Sequence, residues 1–456
     1  MSSPLFDFRT TNALWCSVLA EALVQGGVRQ VVLSPGSRSA PLTLALAQHP
    51  QLEALAVLDE RSAAFFALGL ARQTQRPVVL GCTSGTAAAN YFPAVVEAFE
   101  SGVPLVVLTA DRPPELRACS SGQTIDQQKL YGGFVTFHHE LAVPEATLPR
   151  LGYLRQTVAQ ALARAQGPSA GPVHLNCPFR DPLVPVGEEA TARALASVLG
   201  PEFFAPAGVP EIRETTLTVD VSAWPARGVI VAGPERTAEP AAYAQAVRAL
   251  AAALGWPVLA DALSPVRQHL AADEVVTAYD ALLREPARAR ALQPDRILCL
   301  GGWPTSKVLR AWVGQSPAEI VLLTDTAHNR DSLHGRTRHW RGTVGQVRVH
   351  GARAVDPAYG AAWRQAERTA RQALDTALAN ITDLLEPKAA WLLAHQLPER
   401  TPVVVANSMP VRDLEYFWPA TARRLDVFFN RGANGIDGTL STALGVAHGG
   451  RPTVLL

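Results

Sequence analysis

Over roughly the first 185 residues, short β-branched runs alternate with longer Ala- and Leu-rich ones. RQVVLSPGSRS reads as a strand running into a polar, glycine-containing loop, and PVVLGCTSGT repeats that pattern. AAANYFPAVVEAFESG reads as a helix, and VPLVVLTADRPPEL as a further strand and loop. Strand, helix and strand in this order predict βαβ units, hence a parallel sheet with helices on its faces. Ligands of such sheets sit beyond the carboxyl ends of the strands. The loops SPGSRS, TSGT and TADRPPEL therefore fall on one edge.

Pro, Ala and Glu crowd the stretch 186–225, which predicts a linker with one short helical piece. The alternation resumes at RGVIVAGP and passes through the helix PAAYAQAVRALAAALG to PVLADAL, DRILCLGGWPTSKVLRAWV and EIVLLTD, giving a second domain over 226–350. Residues 351–387 predict one or two connecting helices. A third domain, 388–456, holds TPVVVANSMPVRDLEYFW, RLDVFFNRGANGIDGTLSTALGVAHGG and RPTVLL. The expected fold class is α/β, with three doubly wound parallel-sheet domains. PTVLL reads as a buried strand with no strand-end loop after it, so the third domain is expected to be truncated at its carboxyl end.

A chain of 456 residues is long enough for about three domains, and 48% hydrophobic against 18% charged residues describes a globular protein. Its net charge is +1, from 41 basic and 40 acidic residues, which leaves no electrostatic footprint for nucleic acid or a membrane surface. Selectivity for anions must then come from a few placed arginines. The start MSSPLFDFRTTNALW lacks a signal-peptide pattern and no eighteen apolar residues run uninterrupted, so a cytoplasmic chain without membrane insertion is expected. Cys16, Cys82, Cys119, Cys177 and Cys299 form no CxxC pair and are expected to be reduced thiols. In such a compartment the Asn380-Ile381-Thr382 sequon has no meaning.

In LDERSAAFFALGLA, Asp59 or Glu60 stands where a helix cap or first-turn acid belongs. The run Ala63 to Ala71 is apolar on every face, so its helix should be buried all round, and an acid at its mouth needs a partner. That partner is Arg61, a backbone amide or a ligand's ring nitrogen. Arg38, Arg112 and Arg431 stand in loops after predicted strands, and Arg412 follows PVVVA by a few residues. Such a loop arginine is by default solvated or paired, but four of them at strand ends could clamp the carboxylates of a polyanionic substrate. NRGANGIDG has glycines at 432, 435 and 438, suited to tight turns and close approach of backbone to a phosphate. It is not GxGxxG, and GxxxxGK[ST] and HExxH are absent. His138-His139 reads as a packing pair, with nothing nearby to complete a triad.

SPGSRSAPLTLAL, LDERSAAFFALGLA, TSGTAAANYFPAVVEA, LTADRPPELR, GQTIDQ, NSMPVRD and NRGANGIDGTLSTALG together resemble, in order and over essentially the whole chain, the thiamine diphosphate-dependent enzymes, in particular their branch in menaquinone biosynthesis. The resemblance implies pyrimidine-binding, central and diphosphate-binding domains, and active sites between the subunits of a homodimer or dimer of dimers. It implies addition of 2-oxoglutarate to the cofactor, loss of carbon dioxide and conjugate addition to isochorismate. Glu60 matches the glutamate that hydrogen-bonds the cofactor's aminopyrimidine. Ser37, Arg38, Arg112, Gln123, Arg412 and Arg431 match substrate-binding positions, and Lys307 a basic residue from the central domain. Ser408, Gly435 and Ile436 match cofactor-facing positions. The Gly-Asp loop and the Asn that hold Mg2+ (or Mn2+) are expected beyond Leu456, so no metal ligand is named here and little activity is expected of this chain alone. Ser121-Gly122 departs from the family pattern next to Gln123. The nearest other readings are an acetolactate-type carboligase and a noncatalytic nucleotide-binding α/β protein. The first would not be expected to combine SPGSRS, TADRPPEL and NRGANGIDG.

Overall fold

The computed structural model describes residues 5–167, 169–187, 189–205, 216–334 and 337–456. The chain divides into two compact units: Met1–Ile212 with Asn430–Gly450, and Arg213–Phe429 with Arg451–Leu456.

The first unit is built on a six-stranded, all-parallel sheet in the order β2-β1-β3-β4-β6-β5. Its strands are β1 (Gln30–Leu33), β2 (Glu53–Ala56), β3 (Val78–Cys82), β4 (Leu105–Asp111), β5 (Phe137–Glu140) and β6 (Val173–Pro178). Successive strand residues point to opposite faces. Val31, Val79 and Val106 join a core under the helices Thr11–Gln25, Ala40–Gln48 and Leu148–Gln166, while Val32, Leu80 and Val107 join another under Glu60–Thr74 and Phe92–Ser101. That is why β3, β4 and β6 are buried throughout. The chain turns one way from β1 to β2 and the other way to β3, so the switch point lies between the loops that follow β1 and β3.

AAANYFPAVVEAFESG forms two helices, Thr86–Asn90 and Phe92–Ser101, instead of the single one expected. Pro93 has no N–H to continue the first helix but is well suited to the first turn of the second. Within the helix Glu60–Thr74 the run Ala63 to Ala71 is buried except at half-buried Phe66, close to what its composition predicts, and part of its cover is the helix Thr439–Ala447. These two helices meet through glycines. A Cβ on Gly69 would lie 2.1 Å from the Thr442 carbonyl oxygen, and one on Gly445 would lie 2.1 Å from that of Phe66.

In the second unit β8 (Gly228–Ala232), β9 (Val258–Ala260), β10 (Arg296–Leu300), β11 (Glu319–Thr324) and β12 (Thr337–Arg341) form a parallel sheet in the order β12-β11-β10-β8-β9. The stretch read as a linker contributes β7 (Leu217–Asp220), which pairs with β13 (Val347–His350); its residues 206–215 lie outside the described residues. Alternating burial in β7 carries the strand signal, but four residues are too short to stand out from a Pro-rich background. A further parallel sheet holds β14 (Pro402–Val405) between β15 (Asp426–Phe429) and β16 (Val454–Leu455). β16 lies at its edge with Leu455 40% exposed, unlike the buried strand expected of PTVLL. Among the described residues no helix is long and apolar enough to cross a membrane.

Gly445→Ala should lower stability by about 1–3 kcal/mol, because the new methyl meets backbone and not a movable side chain. Gly152→Ala, inside the helix Leu148–Gln166 with nothing within 4 Å of the added carbon, should be neutral or raise stability by up to about 1 kcal/mol. Urea midpoints of the two variants check this contrast.

Candidate functional site

The loops after β1 and β3 abut at the switch point: a Cβ on Gly36 would fall 2.2 Å from the Thr83 Cβ. Gly85, with φ +88, turns the β3 loop into the next helix. Within this frame Ser37 is exposed, and Arg38 donates from Nη1 to the Phe179 carbonyl at 2.9 Å and approaches Asp181 at 3.6 Å. The Arg112 Nη1 donates to the Ser84 hydroxyl, and the Gln123 Nε2 donates to the Ser84 carbonyl at 3.0 Å. Burial first, and the nearby Arg112 charge second, pull Arg38 below its ordinary pKa. Two guanidinium groups that disfavour one another form a place where an anion is welcome. The structure thus brings Arg112 and Gln123 together on Ser84, with Arg38 within electrostatic reach of Arg112 and Ser37 next to Arg38 in the β1 loop. Nothing in the sequence pattern distinguishes Ser84 from the other small residues of TSGT.

Behind this cluster Asp111, fully buried, accepts from the Arg112 amide at 2.7 Å and the Asn176 Nδ2 at 2.9 Å, and pairs with Arg117 at 3.0 Å. Asn176 accepts from the Thr109 hydroxyl, which is 2.8 Å away and itself lies 2.7 Å from the His174 Nε2. With the Thr109 proton committed to Asn176, Nε2 must carry the proton of a neutral His174. Burial, then the neighbouring His138, drives its pKa down to about 3. His138 packs over His174 at 5.0 Å, and the His139 Nε2 lies 2.7 Å from the Tyr153 hydroxyl, so the pair packs as expected.

At the mouth of the buried helix the two acids divide the work. Asp59 is the cap, accepting from the Ser62 amide at 2.8 Å, and that amide holds its carboxyl below the usual range. Glu60, half-buried on the first turn, has no hydrogen bond or ion pair among the described residues. A carboxylate left over by the cap, in a partly desolvated place, fits an aminopyrimidine ring that offers a nitrogen to it.

NRGANGIDG does not cradle a phosphate at its first glycine. The amides of Gly432 and Ala433 donate to the two oxygens of Glu97 at 2.9 and 2.7 Å, and Glu97 is paired with buried Arg72 at 2.9 Å. A Cβ on Gly432 would meet backbone atoms of Glu97 and Ser101 at 2.9 Å. Gly438, with φ +66, avoids the Phe65 ring, which a Cβ would reach at 2.0 Å. The chain's own carboxylate fills the anion position, and Arg431, Gly435 and Ile436 lie on the segment it fixes.

Lys307, Ser408 and Arg412 belong to the second unit. Lys307 is exposed on the first turn of the helix Lys307–Gln315, which Ser306 caps. Ser408 precedes the helix Met409–Phe417 with φ 73, and Gln123 has φ 57; left-handed backbone in non-glycine residues clusters at functional positions. The Arg412 Nη1 contacts the Met409 Sδ at 3.6 Å. Near the far end of that helix Glu415 accepts from the Ala262 amide at 2.7 Å and pairs with fully buried Arg267 at 3.4 Å. Among the described residues no group of three or more His, Cys, Asp or Glu side chains could hold a metal ion.

Residues 16–130 match the family described as thiamine pyrophosphate enzyme, N-terminal TPP binding domain, and residues 211–404 the middle domain of thiamine pyrophosphate enzymes. A protein of Synechococcus sp. (strain JA-3-3Ab) named 2-succinyl-5-enolpyruvyl-6-hydroxy-3-cyclohexene-1-carboxylate synthase is 50% identical over 99% of this chain and 78% of its own length. One of the same name from Acaryochloris marina is 47% identical over 99% of this chain and 79% of its own length. An X-ray structure assigned to a thiamin diphosphate-dependent enzyme isolated from Mycobacterium smegmatis is similar in fold, with a TM-score of 0.63 at 18% identity, covering 97% of this chain and 81% of its own.

His174 makes the strand-end network sensitive to acid. Its folded pKa, about 3, lies below the ordinary 6.5, so the unfolded chain binds the extra proton between those values. Its contribution to stability is complete above about pH 6.5 and lost as pH falls toward 3. Urea unfolding across that range should show a shallower loss in His174→Gln than in the unaltered protein.

Proposed function

The chain belongs to the thiamine diphosphate-dependent enzymes, among the 2-succinyl-5-enolpyruvyl-6-hydroxy-3-cyclohexene-1-carboxylate synthases, and on that premise we propose that it joins 2-oxoglutarate to isochorismate with loss of carbon dioxide. The observation that carries this reading is the Glu60 carboxylate, without a hydrogen-bond or ion-pair partner among the described residues, on the first turn of a helix already capped by Asp59. Bound thiamine diphosphate supplies the electron sink that lets a 2-oxoacid lose carbon dioxide and its remaining carbon attack an acceptor.

In this reading Glu60 holds a ring nitrogen of the cofactor and shares a proton with it, while Ser408, Gly435 and Ile436 face the same group. Arg38 and Arg112, with Ser37 and Gln123, bind and orient substrate carboxylates and hydroxyls at the switch point; Lys307, Arg412 and Arg431 serve the same substrates. Both substrates are dicarboxylates, and fixed guanidinium groups hold carboxylates in one orientation with little reorganisation. Magnesium or manganese accompanies the diphosphate in such enzymes, and no residue of this chain is assigned to it.

The reading assigns 1–185 to a pyrimidine-binding domain, 226–350 to a central domain and 388–456 to a diphosphate-binding domain, with 186–225 as linker and 351–387 as connecting helices. It places the enzyme in the cytoplasm as a homodimer or dimer of dimers. The apolar stripe Ile436, Leu440 and Leu444, with Ile436 72% exposed, supports a second copy of the chain as its cover.

Three measurements test these assignments. Release of carbon dioxide from 2-oxoglutarate should require isochorismate, thiamine diphosphate and a divalent cation together; release without isochorismate points to an acetolactate-type relative instead. In the complete enzyme Glu60→Gln should abolish turnover and leave the unfolding midpoint in place, and near-normal activity would remove Glu60 from the site. Arg→Ala at 38, 112, 412 or 431 should each raise KM for a dicarboxylate about tenfold or more, the scale of one charge-assisted hydrogen bond. Unchanged kinetics in all four would make them surface residues.

A further inference from the structure

Gln127 is 1% exposed and matches none of the positions assigned above, yet its amide spans three elements of the strand-end edge. Its Oε1 accepts from the Gly85 amide at 2.8 Å, and its Nε2 donates to the Ala110 carbonyl and to the Asn176 Oδ1, both at 3.1 Å. Gly85 follows Ser84 and opens the helix Thr86–Asn90, which no side chain caps. Ala110 stands two residues before Arg112, and Asn176 holds Asp111, which in turn holds the Arg112 amide. One buried amide therefore ties the backbone beside Ser84 to the backbone beside Arg112, the two residues whose side chains meet in the cluster. Gln123, which bonds the Ser84 carbonyl, lies four residues earlier on the same loop.

We propose that Gln127 is a positioning residue for dicarboxylate recognition, setting the separation of the β3 and β4 loops so that Ser84, Arg112 and Gln123 present one binding surface. This rests on the function proposed above. Only an amide suits the place, because the head group must accept from one backbone amide while donating to two oxygens. A methionine of similar length accepts only weakly and donates nothing, and a carboxylate would face the Ala110 and Asn176 oxygens as a third acceptor. A loop shift of about 1 Å is enough to cost a rate or an affinity on the order of a hundredfold.

The test compares the active enzyme with Gln127→Met and Gln127→Glu, reading KM for 2-oxoglutarate and for isochorismate, direct 2-oxoglutarate binding by calorimetry, and the thermal midpoint. Gln127→Met should raise KM for at least one dicarboxylate about tenfold to a hundredfold, with a smaller change in kcat and a folded protein. Gln127→Glu should bind better while its carboxyl is protonated, accepting from Gly85 and donating to one of the two oxygens, than when it ionises, giving a rise of KM with pH that the parent lacks. If Gln127→Met does not fold, the pH profile of Gln127→Glu decides alone. Parental KM values and binding in the folded variants, or a loss that follows only the fraction unfolded, would overturn the positioning role. A parent enzyme that does not bind 2-oxoglutarate would instead overturn the proposed function, and this inference with it.

Discussion

Much of the first unit depends on how closely two helices approach one another. Glu60–Thr74 and Thr439–Ala447 touch through Gly69 and Gly445, each with a carbonyl oxygen of the other helix where a side chain would begin. Such proximity replaces water along the apolar run Ala63 to Ala71, and burial of this kind stabilises by roughly 25 cal/mol per Å2 of apolar surface removed from solvent. It also fixes the chain that leads into Thr439–Ala447. Gly438 passes the Phe65 ring, and the amides of Gly432 and Ala433 reach Glu97. A contact that looks purely structural thereby locates Arg431 and Ile436.

Buried charge is handled differently in the two units. In the first, Arg72 and Glu97 form a pair enclosed in protein, and Glu97 has both oxygens further engaged by backbone amides. Removing one partner of such a pair leaves an uncompensated ion and costs about 3–5 kcal/mol. In the second, Arg267 gives hydrogen bonds to the carbonyls of Ala260, Glu415 and Trp418 and pairs with the Glu415 carboxylate, while burial and the Asp261 charge push that carboxyl up to about 8 against the pull of Arg267. Both clusters lie behind segments that carry assigned residues: Arg431 in one case, Ser408 and Arg412 in the other.

The parallel strands of both α/β sheets were legible because Val- and Leu-rich runs bounded by Gly, Ser and Pro leave few other conformations. The strand-end arginines were legible for the same reason, since topology puts all such loops on one edge. Less visible were β2 and β5, four residues each and only half-buried, whose mixed sequences EALA and FHHE carry no clear period. The left-handed backbone at Gln123 and Ser408 left no trace either, because neither is a residue type that announces positive φ. Gly432 of NRGANGIDG was visible but pointed to a phosphate; its amide meets Glu97, more than three hundred residues earlier, and no local pattern encodes that distance.

Glu97 has one more consequence. Because it is part of the same chain, its carboxylate meets the Gly432 and Ala433 amides intramolecularly, and any dissolved anion must compete with it. Phosphate, sulfate or the diphosphate of a cofactor would have to displace it and break its ion pair with buried Arg72. The turn is therefore a receptor whose first two amides already hold their own ligand.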